Sequence, residues 1–132
     1  MKSQVTIIGG GPSGLLLSQI LMNAGIDTII IEKHSKEHVL SRIRAGVLEQ
    51  GTVDILKTAG VGSRVDKEGF KHEGTLISSE KRSFRISFKE TVSRSVTIFG
   101  QTEVTKDLYD LQEKSEAKII HGVSNVIILS PL

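Results

Sequence analysis

The residues of this chain best placed to do chemistry are three glycines, Gly9, Gly11 and Gly14, and one acid, Glu32. The glycines stand in Gly9-Gly10-Gly11-Pro12-Ser13-Gly14, after the apolar run Val5-Thr6-Ile7-Ile8 and before Leu15-Leu16-Leu17. Each has its own task in a phosphate-binding turn. Gly9 permits the tight exit from a strand, Gly11 leaves the backbone open to a pyrophosphate, and Gly14 lets the next helix pack closely on the sheet. The helix N-terminus then offers unpaired N–H groups and a partial positive charge to the phosphates. Glu32 ends a second apolar run, Ile29-Ile30-Ile31, and lies 18 residues past Gly14. From a strand end its carboxylate can accept hydrogen bonds from ribose hydroxyls. An ordinary glycine-rich turn beside a solvated acid would use the same letters. The strand before, the helix after and the acid at this distance favour nucleotide binding. NAD and FAD both carry the adenosine ribose and the pyrophosphate, so the motif leaves them open.

A second group is Arg42-Ile43-Arg44-Ala45-Gly46-Val47, with two guanidinium groups in a glycine-containing loop. Such a pair suits a diphosphate or another anion, and it would equally suit two solvated surface arginines. The histidines other than His72, namely His34, His38 and His121, are scattered along the sequence without partner residues, so no metal site is expected. The absence of cysteine excludes a disulfide scaffold, a thiol nucleophile and a Cys-based zinc site.

The elements that must position these residues follow from periodicity. Val5–Ile8, a helix closed by Ala24-Gly25, and Ile29–Ile31 make one βαβ unit. Residues 33–41 are polar and read as a loop or a short helical turn. A helical pattern is expected from Leu48 through Val53, Ile55 and Leu56 to Ala59-Gly60. Between His72 and Phe99 the period changes, with Phe84, Ile86 and Phe88 alternating with Ser83, Arg85, Ser87 and Lys89. That alternation, Leu76-Ile77, and Val96–Phe99 after a polar turn at 89–95 predict a small inserted antiparallel sheet. Helix returns from Gln101 to about Ser115, with Val104, Leu108 and Leu111 on one face. Ile119-Ile120 and Val126–Leu129 read as terminal strands. The fold class is α/β, a partial Rossmann-like domain. One domain fills residues 1–132, in three parts: 1–70, 71–100 and 101–132.

Composition narrows the rest. Seventeen basic residues against fifteen acidic give a formal charge of +2, and the basic residues are scattered, so no nucleic-acid partner is expected. No apolar run approaches the roughly 18 residues of a membrane span. The chain opens Met-Lys-Ser-Gln and passes directly into a strand, which reads as a cytoplasmic protein without a signal peptide.

Four blocks in this order carry a resemblance: 9–17 (Gly-Gly-Gly-Pro-Ser-Gly-Leu-Leu-Leu), 42–51 (Arg-Ile-Arg-Ala-Gly-Val-Leu-Glu-Gln-Gly), 72–74 (His-Glu-Gly) and 100–105 (Gly-Gln-Thr-Glu-Val-Thr). The chain resembles the N-terminal part of the 4-hydroxybenzoate 3-monooxygenase (p-hydroxybenzoate hydroxylase) family of FAD-dependent aromatic hydroxylases. The likeness is strong from Met1 to about Val104 and thins beyond it. The family hydroxylates 4-hydroxybenzoate to 3,4-dihydroxybenzoate with a reduced nicotinamide and O2. The resemblance therefore implies FAD as cofactor, NADPH or NADH as co-substrate, a small aromatic substrate, and a homodimer in the full-length enzyme.

Residue by residue, it implies that Ser13 and the Gly9–Gly14 turn hold the FAD pyrophosphate and Glu32 the adenosine ribose. Arg42, Ile43, Arg44, Ala45, Gly46 and Val47 would line the flavin, and Gln101 would add a further FAD contact. His72 matches the outer histidine of a proton relay that helps to ionise the substrate phenol. An imidazole passes protons readily near neutral pH. The match departs from the family at residues 33–38, where better-known members carry arginine and tyrosine groups that recognise NADPH. Here Lys33 could meet the 2′-phosphate only as a point charge. The resemblance also implies that the second FAD motif and the substrate pocket are missing, so the chain reads as C-terminally truncated. Three functions remain in view: the FAD part of an aromatic monooxygenase, inactive by itself; a non-catalytic nucleotide-binding fragment; and an NAD-dependent dehydrogenase domain. The Arg42–Gly46 block and the inserted strands speak against the last.

Overall fold

A computed structural model describes residues 2–115, 117–127 and 129. The elements in chain order are β1 (Val5–Ile8), α1 (Pro12–Asn23), β2 (Thr28–Ile31), α2 (Lys36–Ser41), β3 (Val47–Glu49) and α3 (Gln50–Thr58). They continue with α4 (Ser63–Glu68), β4 (Phe70–His72), β5 (Gly74–Ser78), β6 (Ser83–Ser87), α5 (Phe88–Val92), β7 (Val96–Ile98), α6 (Gln101–Lys114) and β8 (Lys118–Ile120). The chain divides into two compact units, one of residues 1–43 and 105–132, the other of residues 44–104.

In the first unit, β1, β2 and β8 form a parallel sheet in the order β1-β2-β8. Val5 to Ile8 pair with Thr28 to Ile31, and Ile29 to Ile31 pair with Lys118 to Ile120. Thr28, Ile29 and Ile30 are all buried, so the central strand reads as an unbroken apolar run and not as an alternation. Helix α1 starts where the sequence supplies Pro12 at its first position, after Gly11 as N-cap. It ends at Ala24, and Gly25 takes φ +75°. A buried polar network ties α1 to α6. Gln112 donates through Nε2 to the Leu15 carbonyl at 3.1 Å and to Gln19 Oε1 at 3.3 Å. Ser18 Oγ donates to Gln112 Oε1 at 3.3 Å and lies 2.6 Å from Thr28 Oγ1.

In the second unit the inserted strands fall into two pieces. β5 and β6 make a hairpin, with Gly74 opposite Ser87 and Ser78 opposite Ser83. β3, β7 and β4 form an antiparallel sheet in that order. Three local expectations are corrected here. Leu48 belongs to strand β3 and not to the helix that follows, because Val47–Glu49 find hydrogen-bonding partners in Val96–Ile98. The expected polar turn at 89–95 begins as helix α5, whose start is capped by Ser87 Oγ accepting the Glu90 N–H at 3.2 Å. Ser87 and Glu90 are three apart, the spacing of a capping signature.

The third correction is in the first unit. Val126 and Ile127 form no strand. Gly122 and Asn125 take left-handed φ of 75° and 57°, which breaks the extended run before them. Ile128 and residues 130–132, the rest of that expected ending, lie outside the described residues.

Candidate cofactor site

The site in the first unit is built where β1 and β2 end. Gly9 leaves β1 with φ +116°, a value that L side chains rarely adopt. Its N–H donates to the Ile31 carbonyl at 2.8 Å, which carries the parallel ladder one residue into the turn. A Cβ on Gly14 would collide with the Gly9 carbonyl oxygen, so the first turn of α1 lies directly against the exit from the strand. Gly11 is different. A Cβ there would meet nothing within 4 Å, and its φ of −78° suits any residue. The protein's own packing therefore gives no reason for glycine at position 11, which borders open space. Ser13 is exposed on the first turn of α1.

Glu32 is buried, and both its oxygens are engaged. Oε2 accepts the Gly10 N–H at 2.7 Å and Oε1 the His34 N–H at 2.8 Å. Burial raises the carboxyl pKa, but the donated amides of Gly10 and His34 outweigh it and hold the group below its ordinary value. It is a carboxylate at neutral pH. Each oxygen has a second lone pair, so two hydrogen bonds do not exhaust it.

Glu32, Gly9, Lys33 and His34 line an open cleft of about 550 Å3, closed on the far side by Val123, Ser124, Asn125 and Val126. That lies within the roughly 300–1,000 Å3 of ligand clefts, and it sits outside the carboxyl ends of parallel strands, the usual place in open α/β sheets. Sequence reasoning missed the far wall. Gly122, Ser124 and Asn125 are a cluster of turn-forming residues, the one signal that marked it. Val123 N–H donates to the Glu32 carbonyl at 3.1 Å and so fixes that wall to the acid.

The histidines, expected to be scattered, gather beside this cleft. The rings of His34, just ahead of α2, and His38, in its first turn, stack with centroids 4.1 Å apart. His121 Nδ1 lies 3.0 Å from the His34 carbonyl, which can only accept, so Nδ1 carries the proton. Desolvation, then the nearby His38 and Lys33, lower the His34 pKa. No group of three metal-ligating side chains forms among the described residues.

The remaining expected residues stand as follows. Arg42 caps the C-terminus of α2, and Ile43 is 96% exposed. In the second unit, Arg44 and Ala45 are exposed ahead of β3. Gly46 packs backbone on backbone: its carbonyl accepts the Phe99 N–H at 2.8 Å, and a Cβ would come within 2.7 Å of the Phe99 oxygen. Val47 opens β3, and Gln101 opens α6. His72 ends the edge strand β4 opposite Val96, with its side chain exposed.

A βαβ unit with an open glycine turn and an acid at the end of its second strand is the arrangement of dinucleotide-binding folds. The chain belongs to the FAD binding domain family, whose model matches residues 2–126. It is 47% identical over 116 residues to a p-hydroxybenzoate hydroxylase of Acinetobacter baylyi, a match that covers 87% of this chain and 29% of that protein. The fold is shared with a probable FAD-dependent monooxygenase of Pseudomonas aeruginosa, at a TM-score of 0.78 and 13% identity, over 91% of this chain and 33% of the other. It is shared as well with p-nitrophenol 4-monooxygenase of Pseudomonas putida, at 0.76 and 19%, over 92% and 32%. The chain thus spans about a third or less of the length of these relatives. No helix among the described residues is long and apolar enough to cross a membrane.

Proposed function

We propose that these residues hold the adenosine and pyrophosphate of FAD for an aromatic hydroxylase acting on 4-hydroxybenzoate. The single observation that carries the cofactor part is the turn at Gly11: open space beside a helix N-terminus, with the Glu32 carboxylate at the neighbouring strand end. Amides at the start of α1 and the exposed Ser13 would bind the pyrophosphate. Glu32 would accept the ribose hydroxyls on its remaining lone pairs. Arg42 through Val47 and Gln101 would contact the rest of the cofactor, with the exposed Ile43 and Val47 as the block's large apolar side chains for a flavin ring.

FAD, once bound and reduced by NADPH or NADH, supplies the activation of O2 that places an oxygen atom on the aromatic ring. His72 would relay a proton from the substrate phenol to solvent, a task that suits its exposed position. Lys33 would meet the 2′-phosphate of NADPH. Support for 4-hydroxybenzoate as substrate is the 47% identity to the Acinetobacter hydroxylase. A cytoplasmic location and a homodimer of the whole enzyme belong to the same reading.

Titrating the purified chain with FAD and reading the absorbance of bound flavin tests the cofactor part. A yellow complex is expected, whereas binding of a nicotinamide alone would leave the visible region blank and point to a dehydrogenase domain. With reduced nicotinamide and 4-hydroxybenzoate added, the chain alone is expected to yield no hydroxylated product, and product formation would show that it is a complete catalyst.

A further inference from the structure

Reading the turn as an FAD cradle leaves one buried polar group without a task, the hydroxyl of Tyr109. Tyr109 is 1% exposed on α6 and donates to the Gly10 carbonyl at 3.1 Å, across 99 residues of sequence. The Gly10 N–H is held by Glu32 at 2.7 Å. Both polar groups of Gly10 are therefore fixed by side chains. The fit is close: a Cβ on Gly10 would lie 3.0 Å from the Glu32 Cβ and 3.2 Å from the Tyr109 hydroxyl.

The Gly10 carbonyl and the Gly11 N–H belong to one peptide plane. In a trans peptide the two point in opposite directions, and no cis bond occurs among the described residues. Fixing the carbonyl onto Tyr109 thus turns the Gly11 N–H away from that side chain. Among the described residues this N–H has no hydrogen-bond acceptor. It belongs to the same residue at which a Cβ would meet only open space.

Tyr109 is itself braced. His121 stacks on its ring with centroids 5.8 Å apart. His121 also bonds to the carbonyl of His34, whose amide donates to Glu32. The contacts close a circuit from Gly10 through Glu32, His34, His121 and Tyr109 back to Gly10. We propose that Tyr109 is a positioning residue of the cofactor site: its hydroxyl sets the Gly10–Gly11 peptide plane and so aims the Gly11 amide at the cofactor's pyrophosphate. The proposal rests on the FAD reading of this turn.

The test compares the chain with Tyr109→Phe, which keeps the ring and its stack on His121 and removes only the donor. FAD, ADP and adenosine are the three probes, titrated by NMR. Loss of one orienting hydrogen bond is expected to weaken FAD and ADP about fivefold. Adenosine has no phosphate, and its binding is expected to stay the same. In the ligand-free chain, the Gly10 amide is expected to exchange about fivefold faster with solvent. Ile30, in the buried centre of the sheet, is expected to keep its rate.

An equal loss for all three probes would make the hydroxyl a general support and overturn the proposal. Unchanged FAD and ADP binding with an unchanged Gly10 rate would overturn it too, as would a collapse of protection at Ile30. If the unmodified chain bound neither FAD nor ADP, the cofactor reading itself would fall and take this role with it. That result is separate from a chain that binds FAD with the hydroxyl indifferent.

Discussion

Glu32 Oε2 accepts the Gly10 N–H at 2.7 Å, so the acid that ends β2 grips the turn that leaves β1. The spacing of the motif suggests a carboxylate waiting for ribose. In the fold it also holds two backbone amides, from Gly10 and His34. The acid thus builds the turn as well as facing the cleft. Its two tasks have different consequences when it is changed.

Replacing Glu32 with Gln is expected to destabilise the ligand-free chain by about 1–3 kcal/mol, since an amide NH2 would face one of the two N–H donors. Chemical denaturation at neutral pH reads this directly. The pH dependence should change with it. The folded pKa of Glu32 is depressed below its ordinary 4.5, so its contribution is complete above that value and is lost as pH falls through the folded pKa. His34 acts in the same direction from a higher pH. Its folded pKa lies below the ordinary 6.5, so stability declines as pH drops beneath 6.5. In the Gln variant the loss in the carboxylate range should flatten while the histidine part persists. An unchanged acid limb would show that the Gly10 and His34 amides do not hold the carboxylate as described.

Two alanine substitutions in the turn should separate folding from binding. Gly14→Ala drives a Cβ into the Gly9 carbonyl oxygen and is expected to cost about 3 kcal/mol or more. Gly11→Ala meets no protein atom at an ordinary φ, so the loss should stay within about 1 kcal/mol, the cost of an alanine N-cap. FAD binding should nevertheless be lost, because the methyl group fills the approach to the backbone. Melting temperature and a flavin titration on the two variants decide the matter. A stable Gly11→Ala chain that still binds FAD normally would remove the pyrophosphate from this turn.

The contrast between those glycines explains what was legible. Gly9 and Gly14 answer to short-range backbone demands, and a strand–turn–helix writes such demands into consecutive letters. Glu32 shows as the acid ending the next apolar run, while its grip on Gly10 spans 22 residues. Leu48 does not, for its three-residue strand exists only because Val96–Ile98 pair with it about 50 residues later. A helical period running on from Leu48 hides that pairing. Helix α5 is missed in favour of a polar turn, because the three-residue spacing of Ser87 and Glu90 is easily lost in a polar stretch. Tyr109 shows only as one more residue of an amphipathic helix. Its hydroxyl finds its acceptor 99 residues upstream, and no local pattern records that. His34 and His38 are four residues apart, but His121 reaches the His34 carbonyl across 87 residues, equally beyond any local pattern.

Gln112 tests how α6 is held in the first unit. It is fully buried and joins Leu15, Ser18 and Gln19 of α1 in one network. Gln112→Leu preserves approximate volume and deprives Ser18 and Gln19 of a partner. Leaving buried groups short of partners is expected to cost about 1–3 kcal/mol. Ser18 still has Thr28 Oγ1 at 2.6 Å, which sets the cost toward the lower end. Denaturant unfolding monitored by far-UV circular dichroism reads it, and a neutral result would mean that the network adds nothing beyond packing.

Lys33 bears on the choice between NADPH and NADH. It is exposed, and it lines the cleft beside Glu32. A lysine meets a phosphate as a single charge without the two parallel donors of an arginine. Exposed ion pairs of this kind contribute about 0.2–1 kcal/mol, so the preference for NADPH should not exceed about fivefold. It should also shrink as ionic strength rises, because salt screens exposed charges. The measurement is the rate of flavin reduction by each nucleotide in an intact hydroxylase carrying residues 33–38 of this chain. Lys33→Met in that enzyme should abolish both the preference and its salt dependence. Faster reduction by NADH before the substitution would rule out a phosphate contact at Lys33. A strong NADPH preference that survives Lys33→Met would place the phosphate on another residue.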